Sequence, residues 1–309
     1  MSGCSRLPDE CATGPSPNPL PEGEGFRLWQ DFALKAVIAT EIEFYLHGIG
    51  KQLDAAQVIG RIRGACDKAD LPLASAEEER GPDQYEVAFL PSGDLARVGT
   101  DTERFKALMA SEFGKVADFS AKPLADKPGS GLHVHVHLED ASGRNVFFRE
   151  EEAFSPLLLN AIGGLLTFMN PCMVFFAPTE ASYARITATT PLQGMERGKG
   201  DYNNSPTTVS WGTNNRSVAI RLPTKPLHNK HLEHRVAGSD ADATQVIAAI
   251  LAGVHYGLKA KCEPGEPIYG DASLAQYALP PLAKSIDEAK SYMDECVALR
   301  DYPILFTNY

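Results

Sequence analysis

Three histidines alternate with two valines in segment 127–140, and no other stretch of the sequence restricts the fold as strongly. The segment reads Lys-Pro-Gly-Ser-Gly-Leu-His-Val-His-Val-His-Leu-Glu-Asp. Because strand side chains alternate between two faces, His133, His135 and His137 should share one face while the valines pack beneath. Successive imidazoles would lie about 6.6 Å apart and could serve one ion, an adjacent phosphate and a third group. A half-exposed edge strand would explain any single histidine, whereas the whole set behind a Gly-Ser-Gly turn favours a ligand-binding strand.

Charge and cysteine usage narrow the kinds of partner that the chain could have. The net charge of −11, from 40 acidic and 29 basic residues, argues against nonspecific binding to nucleic acid or to anionic membranes. The six cysteines form no CxxC pair, so we expect reduced thiols and a cytoplasmic location. Chemistry on small molecules is the class of function that remains.

The organisation predicted along the chain is one domain behind a tail. Residues 1–24 are rich in Pro, Gly, Ser and Glu, lack an apolar secretory segment, and are predicted to be a disordered tail. Residues 25–309 are predicted to form a single domain. The longest apolar stretch, 157–177, contains Asn170-Pro171 and other interruptions, which indicates a buried helix followed by a strand and not a membrane span.

Paired carboxylates recur on predicted strands. Glu41 and Glu43 alternate with Ile42 and Phe44, so both carboxylates point the same way. Like charges that close raise each other's pKa unless a cation lies between them, although a solvated strand face explains this pair equally well. A second cluster follows where an acidic turn, residues 77–83, runs into the strand that carries Glu86.

Helix and loop signals separate these strands. Apolar residues at helical spacing predict an amphipathic helix over 54–71, and Thr100 is predicted to cap a second helix that reaches residue 116. Residues 186–206 contain several glycines and no hydrophobic periodicity, and they are predicted to form a mobile lid.

The charged groups placed on strands define a type of chemistry. They comprise five carboxylates, one imidazole and four guanidinium groups: Glu41, Glu43, Glu79, Glu86, Glu233, His133, Arg185, Arg216, Arg221 and Arg235. This donor set suits Mg²⁺ or Mn²⁺ together with phosphate, because hard divalent ions prefer oxygen ligands and arginines bind phosphoryl charge. No Walker-type loop occurs, so a nucleotide would be held by ions and arginines on a sheet.

Six motifs in the chain resemble the catalytic domain of the glutamine synthetase family over roughly residues 36–260. They are Glu41-x-Glu43, Gly81-Pro-Asp-Gln-Tyr-Glu86, Gly129-Ser-Gly-Leu-His-Val-His135, Ala177-Pro-Thr-x-x-Ser-Tyr-x-Arg185, Asn215-Arg-Ser-x-x-Ile-Arg221 and Glu233-x-Arg235. The Ala-Gly-Val-His-Tyr-Gly helix and the Ser-Trp-Gly strand look closer to the γ-glutamyl-polyamine and γ-glutamyl-methylamide synthetase branch. The resemblance implies an α+β fold, with a curved, mainly antiparallel sheet that forms half of a funnel and is backed by helices.

The resemblance also implies roles for individual residues. Two or three Mg²⁺ or Mn²⁺ ions would have Glu43, Glu79 and Glu86 as ligands beside glutamate, and Glu41, His133 and Glu233 beside the phosphates of ATP. Glu78 could replace Glu79, because the acidic turn permits a slip of one residue. His135, Arg216 and Arg221 would bind ATP, and Gly129, Arg185 and Arg235 would bind substrate. Arg185 and Arg221 would also act in catalysis.

Departures from the family pattern shift the expected reaction toward an organic amine. Family members carry an N-terminal β-domain that completes the neighbouring subunit's site, whereas almost nothing precedes the catalytic domain here, so the usual ammonium site and ring contacts should differ. The family's flap glutamate is replaced by Ile-Thr-Ala-Thr-Thr-Pro after Arg185, which leaves Glu196 in the lid as the candidate acceptor of the amine proton. His137 stands where a small polar residue is common, and its role is open.

The sequence therefore predicts an ATP-dependent γ-glutamyl ligase that joins glutamate to a small organic amine through a γ-glutamyl phosphate. Glutamine synthesis from ammonia is one alternative, and a non-catalytic relative kept for binding or assembly is another. A guanidino kinase fits less well, since its phosphate site is dominated by arginines. No nucleic-acid or membrane partner is expected, and a homo-oligomer is possible.

Overall fold

The computed structural model describes residues 28, 30–149, 154–187, 205–223 and 230–306. The predicted tail, most of the predicted lid, and Glu196 within that lid lie outside the described residues. No helix in the described segments combines the length and apolar character that crossing a membrane requires.

Eight strands in the described part of the chain form one open sheet. They are β1 (Lys35–Leu46), β2 (Leu73–Glu78), β3 (Gln84–Phe89), β4 (Ala117–Asp118), β5 (Leu132–Glu139), β6 (Trp211–Thr213), β7 (Ile220–Leu222) and β8 (Leu232–His234). Their order is β2-β3-β1-β5-β8-β7-β6, with β4 also paired to β1. The β6–β7 pair is parallel and the other pairs are antiparallel. This mainly antiparallel α+β architecture confirms the predicted fold class.

Strand β1 lies in the middle of the sheet and shows why the sheet has one apolar and one polar face. Ile38, Ile42 and Phe44 are fully buried and belong to the hydrophobic core, whereas Glu41 and Glu43 point to the other side. On β5, Val134 and Val136 are likewise fully buried beneath the histidines. The alternation in the sequence therefore places the carboxylates and imidazoles on a common face.

Seven α-helices of the described chain accompany the sheet. They are α1 (Ala55–Lys68), α2 (Leu95–Phe113), α3 (Pro156–Phe168), α4 (Met173–Phe176), α5 (Glu180–Thr187), α6 (Ala243–Ala260) and α7 (Ile286–Glu295). Asp54 and Gln57 form a capping box at α1, and Ser155 and Asp242 cap α3 and α6.

Two predictions about helices were wrong. Helix α2 begins at Leu95 because the side chain of Asp94 accepts a hydrogen bond from the amide of Arg97, and Thr100 lies inside the helix with its hydroxyl bonded to Ala96 O. The buried helix α3 is followed by the short helix α4 and not by a strand.

Helices α3 and α6 cross at a contact made of glycines. A Cβ added to Gly164 would lie 2.2 Å from the carbonyl oxygen of Gly253, and one added to Gly257 would lie 2.1 Å from that of Asn160. Both neighbours are backbone atoms, so the two helices approach each other as closely as their main chains permit. This contact sets the distance between the two helices of the layer behind the sheet.

Candidate active site

The polar face of the sheet gathers charged side chains from five neighbouring strands, β3, β1, β5, β8 and β7. In the strand register, Glu43 lies opposite Glu86, and Glu41 lies opposite His133. Farther across the sheet, Glu233 lies opposite both His135 and Arg221. Because paired residues in an antiparallel sheet share a face, the register itself brings these groups together.

One set of carboxylates could hold a divalent ion at the β1–β3 side of the face. Single oxygen atoms of Glu43, Glu79 and Glu86 all lie within 4.8 Å of one another. These are the three residues that the family resemblance assigned to one ion. Glu79 is partly buried, whereas Glu78 is exposed on β2, so the geometry favours Glu79 as the ligand.

A second region, toward β5 and β8, contains two overlapping sets of donor atoms. Glu41 lies within 4.8 Å of Glu86 and His133 in one set, and of His135 and Glu233 in the other. His133 Nδ1 is 3.6 Å from Glu41 Oε2 and 3.8 Å from Glu233 Oε1, while His135 Nε2 is 3.0 Å from Glu41 Oε1. The residues predicted for the nucleotide-side ion are thus neighbours. His135, predicted as a phosphate contact, also lies within a potential ion-binding set.

The carboxylates repel one another strongly in the absence of a cation. Burial raises the pKa of Glu86 to about 9, with further contributions from the charges of Glu41, Glu43, Glu79 and Glu233. Burial and the charge of Glu43 also raise the pKa of Glu79. Ionising this cluster is therefore costly to the fold unless a cation neutralises it.

Positive groups hold the other two carboxylates ionised. Burial raises the pKa of Glu41, but bonds to and charges on His133 and His135 outweigh it and hold that pKa well below its usual range. Burial likewise opposes ionisation of Glu233, yet Arg235 and the histidines lower its pKa to about 2. Arg221 Nη1 donates to Glu233 Oε2 at 2.7 Å, and Arg235 Nη1 donates to Glu233 Oε1.

Arg185 lies behind the glycine turn that precedes β5. Its Nη1 and Nη2 atoms donate to the carbonyl oxygens of Val236 and Arg235, at 2.8 and 3.2 Å. A Cβ on Gly131 would lie 2.6 Å from Arg185 Nη2, and one on Gly129 would lie 2.8 Å from Arg185 Cγ. The structure therefore shows this guanidinium bonded to the segment that follows β8 and packed closely against the glycine turn. Its predicted role in holding substrate or phosphoryl stays a prediction.

Arg216 occupies a different position from the other arginines. It is exposed on the loop before β7, and its positive charge contributes to lowering the pKa of Glu79 against the larger effect of burial. Its carbonyl oxygen accepts a hydrogen bond from Arg235 Nε at 3.3 Å. Arg216 thus lies at the solvent-exposed rim of the face, near Glu79, and its role in binding ATP phosphates stays a prediction.

A cavity of about 180 Å³ adjoins the nucleotide-side donor sets. Glu41 and His135 line it on the side of the donor sets, and Phe89 and Pro91 are among its apolar walls. His137 and His231 also line it, and His137 Nε2 lies 3.2 Å from Glu139 Oε1. The structure thus gives His137, whose role the sequence left open, a place in a pocket beside the site.

Three residues near the site were not singled out from the sequence. His231 could have been found, because it lies two residues before Glu233 and so shares its strand face. Gln84 stands inside the motif Gly81-Pro-Asp-Gln-Tyr-Glu86, but nothing in the spacing of Gln84 or of Tyr45 assigns either one a role. Their side chains donate to the carbonyl oxygens of Gly129 and Pro128.

The donor atoms fit hard divalent ions. Each candidate set consists of carboxylate oxygens, with or without imidazole nitrogen, and no cysteine takes part in any of them. Mg²⁺ and Mn²⁺ favour such ligands, and the number of carboxylates exceeds what structural zinc sites use. The residues present therefore suit the ions that the sequence predicted.

We expect the metal-free protein to lose stability as the pH rises, because of Glu86. Its pKa of about 9 exceeds the ordinary 4.5, so the folded state binds a proton that the unfolded state has released across that interval. His135, whose bond to Glu41 raises its pKa against the larger opposing effect of burial, acts in the same direction above pH 6.5. The lowered pKa values of Glu41 and Glu233 affect stability only below about pH 4.5.

The melting temperature measured with a chelator should therefore fall between pH 6 and pH 9. Added Mn²⁺ should raise it more at pH 9 than at pH 6, since an ion must displace the Glu86 proton at lower pH. Glu86→Gln should flatten the decline. A melting temperature of the chelated wild type that does not fall over this range would contradict the assignment.

Together, the fold and the face define a class of protein. An open, mainly antiparallel sheet presents clustered carboxylates, imidazoles and guanidinium groups, which suit divalent ions and phosphate. Residues 47–308 match the family described as "Glutamine synthetase, catalytic domain". The chain belongs to the glutamine synthetase family, which confirms the resemblance seen in its motifs.

Curated relatives include γ-glutamyl amine ligases. γ-Glutamylputrescine synthetase of Escherichia coli K12 is 32% identical over 290 residues, which cover 82% of this chain and 58% of that protein. Glutamate–isopropylamine ligase of a Pseudomonas species is 30% identical over 82% of this chain and 53% of that protein. Glutamine synthetase of Pyrococcus abyssi is 30% identical over 76% of this chain and 54% of that protein. The chain spans about half the length of the curated relatives it matches.

Solved structures share the fold. The chain matches a GmaS/ADP complex with a TM-score of 0.77 and 22% sequence identity, over 93% of this chain and 69% of that one. A ligand-free GmaS structure matches with a TM-score of 0.76 and the same identity. At this identity the likeness establishes the architecture.

Proposed function

We propose that the protein is an ATP-dependent ligase that forms a γ-glutamyl amide from glutamate and a small organic amine. The observation that carries the proposal is the set of carboxylates, histidines and arginines on one sheet face, with Glu41 and Glu86 each shared between two candidate ion sites. The names of relatives, among them ligases for putrescine and isopropylamine, support the choice of an amine.

In the proposed reaction, a γ-carboxylate oxygen of glutamate attacks the terminal phosphorus of ATP, and the bond to the bridging oxygen breaks to release ADP. The amine nitrogen then attacks the acyl carbon, inorganic phosphate leaves, and the amine gives up a proton. Activation is required because a carboxylate is a poor electrophile. Glu196 stays the predicted acceptor of that proton, although it lies outside the described residues.

Different residues of the polar face would bind the ions, the substrate and the phosphates in this reaction. Glu43, Glu79 and Glu86 would hold an ion beside glutamate, and Glu41, His133 and Glu233 an ion beside the phosphates. When bound, these ions would neutralise phosphate charge that the buried carboxylates would otherwise repel. Arg221 and Arg235, which both pair with Glu233, would stabilise the transferring phosphoryl group, and Arg216 at the rim would bind ATP phosphates.

The cavity beside His135 would accommodate the rest of the nucleotide. It begins at Glu41 and His135, where the phosphates are proposed to bind, and its walls include apolar and imidazole side chains. A flat heteroaromatic base suits such walls, because it offers faces for stacking and edges for hydrogen bonds. A homo-oligomer stays part of the proposal, since some family sites are completed by a neighbouring subunit.

Two other functions give different results in the same assay. Glutamine synthesis would use ammonium in place of an amine, and glutamine synthetases are among the relatives. A non-catalytic assembly protein would hydrolyse no ATP. The raised pKa of Glu86 argues against it, because a scaffold has no need of a carboxylate cluster that destabilises its fold at neutral pH.

The test is ADP release with ATP, Mg²⁺, glutamate and a panel of putrescine, isopropylamine, ethanolamine and ammonium. We expect at least one organic amine to support release at about ten times the rate with ammonium or more. Preference for ammonium would select glutamine synthesis instead. The absence of release with every member of the panel would contradict both enzymatic functions.

A further inference from the structure

Gln84, a buried amide at the start of β3, joins the acidic turn to the glycine turn across the site. The residue is buried, with only 1% of its surface exposed. The Oε1 atom accepts a hydrogen bond from the amide of Gly81 at 2.9 Å, and Nε2 donates to the carbonyl oxygen of Gly129 at 3.1 Å. One amide therefore ties two separate loops together with bonds of opposite polarity.

The first of these loops carries Glu79, and the strand that follows it carries Glu86; both belong to the β1–β3 ion set. The amide of Glu79 donates to the carbonyl oxygen of Gln84 at 2.8 Å, and the amide of Gln84 donates to that of Gly81 at 3.1 Å. Glu86 follows Gln84 by two residues on β3, and their side chains share a strand face. The position of Gln84 thus determines where both Glu79 and Glu86 present their carboxylates.

The second loop orients the third carboxylate. Two residues beyond Gly129, the amide of Gly131 donates to Glu43 Oε2 at 2.7 Å, and the amide of Glu43 donates back to Gly131 O at 2.9 Å. A shift of the glycine turn would therefore move a bond made directly to the Glu43 carboxylate. Gln84 is connected to all three carboxylates of the set, although it is not itself one of the candidate ligands.

The surroundings leave this link little freedom. A Cβ on Gly81 would lie 2.6 Å from Gln84 Oε1 and 2.1 Å from the hydroxyl of Tyr45. That hydroxyl donates to the carbonyl oxygen of Pro128 at 2.9 Å, next to the carbonyl that Gln84 binds. Two buried side chains hence hold consecutive carbonyl groups of one turn. The position of this turn is therefore restricted at two adjacent residues.

We infer that Gln84 is a positioning residue for the proposed ligase reaction, and that its Nε2–Gly129 bond sets the geometry of the Glu43, Glu79 and Glu86 ion set. The inference rests on the proposed function, with this set binding an ion beside the acid substrate. Partners outside the coordination sphere typically change metal affinity or activity by about 10- to 100-fold, and Gln84 acts on three ligands at once. Tyr45 supports the same turn from the neighbouring carbonyl.

Gln84→Met and Gln84→Glu together test this link. Methionine has a similar length and adds no charge, but it can neither donate to Gly129 nor accept from Gly81; a glutamate that is ionised keeps the Gly81 bond and loses the Gly129 bond. We expect calorimetric titration of both variants with Mn²⁺ alone to show one class of site weakened by about 10-fold or more. In the ADP-release assay, kcat/KM for glutamate should fall by a similar factor while the KM for ATP changes less than twofold. Tyr45→Phe should change both quantities in the same direction by a smaller factor.

Asn160→Asp is the matched control, because Asn160 Nδ2 also donates to a backbone carbonyl, that of Cys262 at 2.9 Å, but on the helix side of the fold. It should lower the melting temperature and leave Mn²⁺ affinity unchanged. If Mn²⁺ affinity is unchanged in both Gln84→Met and Tyr45→Phe, the inference is wrong. If Gln84→Met weakens Mn²⁺ binding while the wild type forms no γ-glutamyl amide, the positioning role stands and the proposed function fails.

Discussion

Glu86→Gln should reduce ADP release with glutamate and amine by more than about 100-fold. Loss of a partner outside the coordination sphere commonly costs about 10- to 100-fold, and Glu86 is a candidate ligand in two ion sets at once. The substitution keeps the size of the side chain but removes the negative oxygen that either ion would use. The loss should appear mainly in kcat, and Mn²⁺ titration should show weaker binding at both classes of site.

Glu78→Gln provides the control for this variant. It makes the same change of charge on the adjacent strand, at an exposed residue outside every candidate ion set in the described chain. Its turnover should stay within about twofold of the wild type. Full activity in Glu86→Gln, or equal losses in the two variants, would show that the ion sets have been assigned incorrectly.

Gly257→Ala should destabilise the fold by about 3 kcal/mol or more. The added methyl group would lie 2.1 Å from Asn160 O and 2.9 Å from both Gly164 Cα and Gly164 N. Since these are backbone atoms, α3 and α6 would have to separate, and overpacking of this kind costs about 1–3 kcal/mol even where side chains can adjust. Thermal unfolding should show a melting temperature lower by roughly 6 °C or more.

Gly60→Ala, in the exposed part of α1, should have the opposite effect. No atom lies within 4 Å of a Cβ built there, so alanine only reduces the freedom of the unfolded chain and should stabilise by about 0.5–1 kcal/mol. Destabilisation by both substitutions would mean that helix propensity is misjudged. Stability unchanged by Gly257→Ala would mean that the helix crossing is looser than the structure shows.

The strand periodicity in the sequence was sufficient to predict most of the polar face. Alternation placed Glu41 with Glu43 and the three histidines together on their strands, because side-chain direction within a strand follows directly from a period of two. Residues that face each other across strands required the register, which depends on pairing between distant segments. The sharing of Glu86 between two ion sets is a property of that register and has no signature within the motif around Glu86.

The errors arose where local chemistry offered more than one answer. Asp94 and Thr100 are both good helix caps, and the structure uses the first, which lengthens α2 by six residues at its start. The apolar run at Met173–Phe176 satisfies helix and strand periodicity equally over so few residues. The predicted substrate role of Arg185 is not among these errors and stays a prediction, whereas its bonds to Val236 O and Arg235 O could be seen only in three dimensions.

Trapping the acyl phosphate with hydroxylamine tests the central claim most directly, namely that this face activates the γ-carboxylate of glutamate. Acyl phosphates react with hydroxylamine to give hydroxamates, whatever amine the enzyme normally uses. With ATP, Mn²⁺ and glutamate, we predict γ-glutamyl hydroxamate and ADP in equal amounts, and neither product without glutamate or in Glu86→Gln. Release of ADP without hydroxamate, or the absence of both products from protein that binds Mn²⁺ and ADP, would contradict the account.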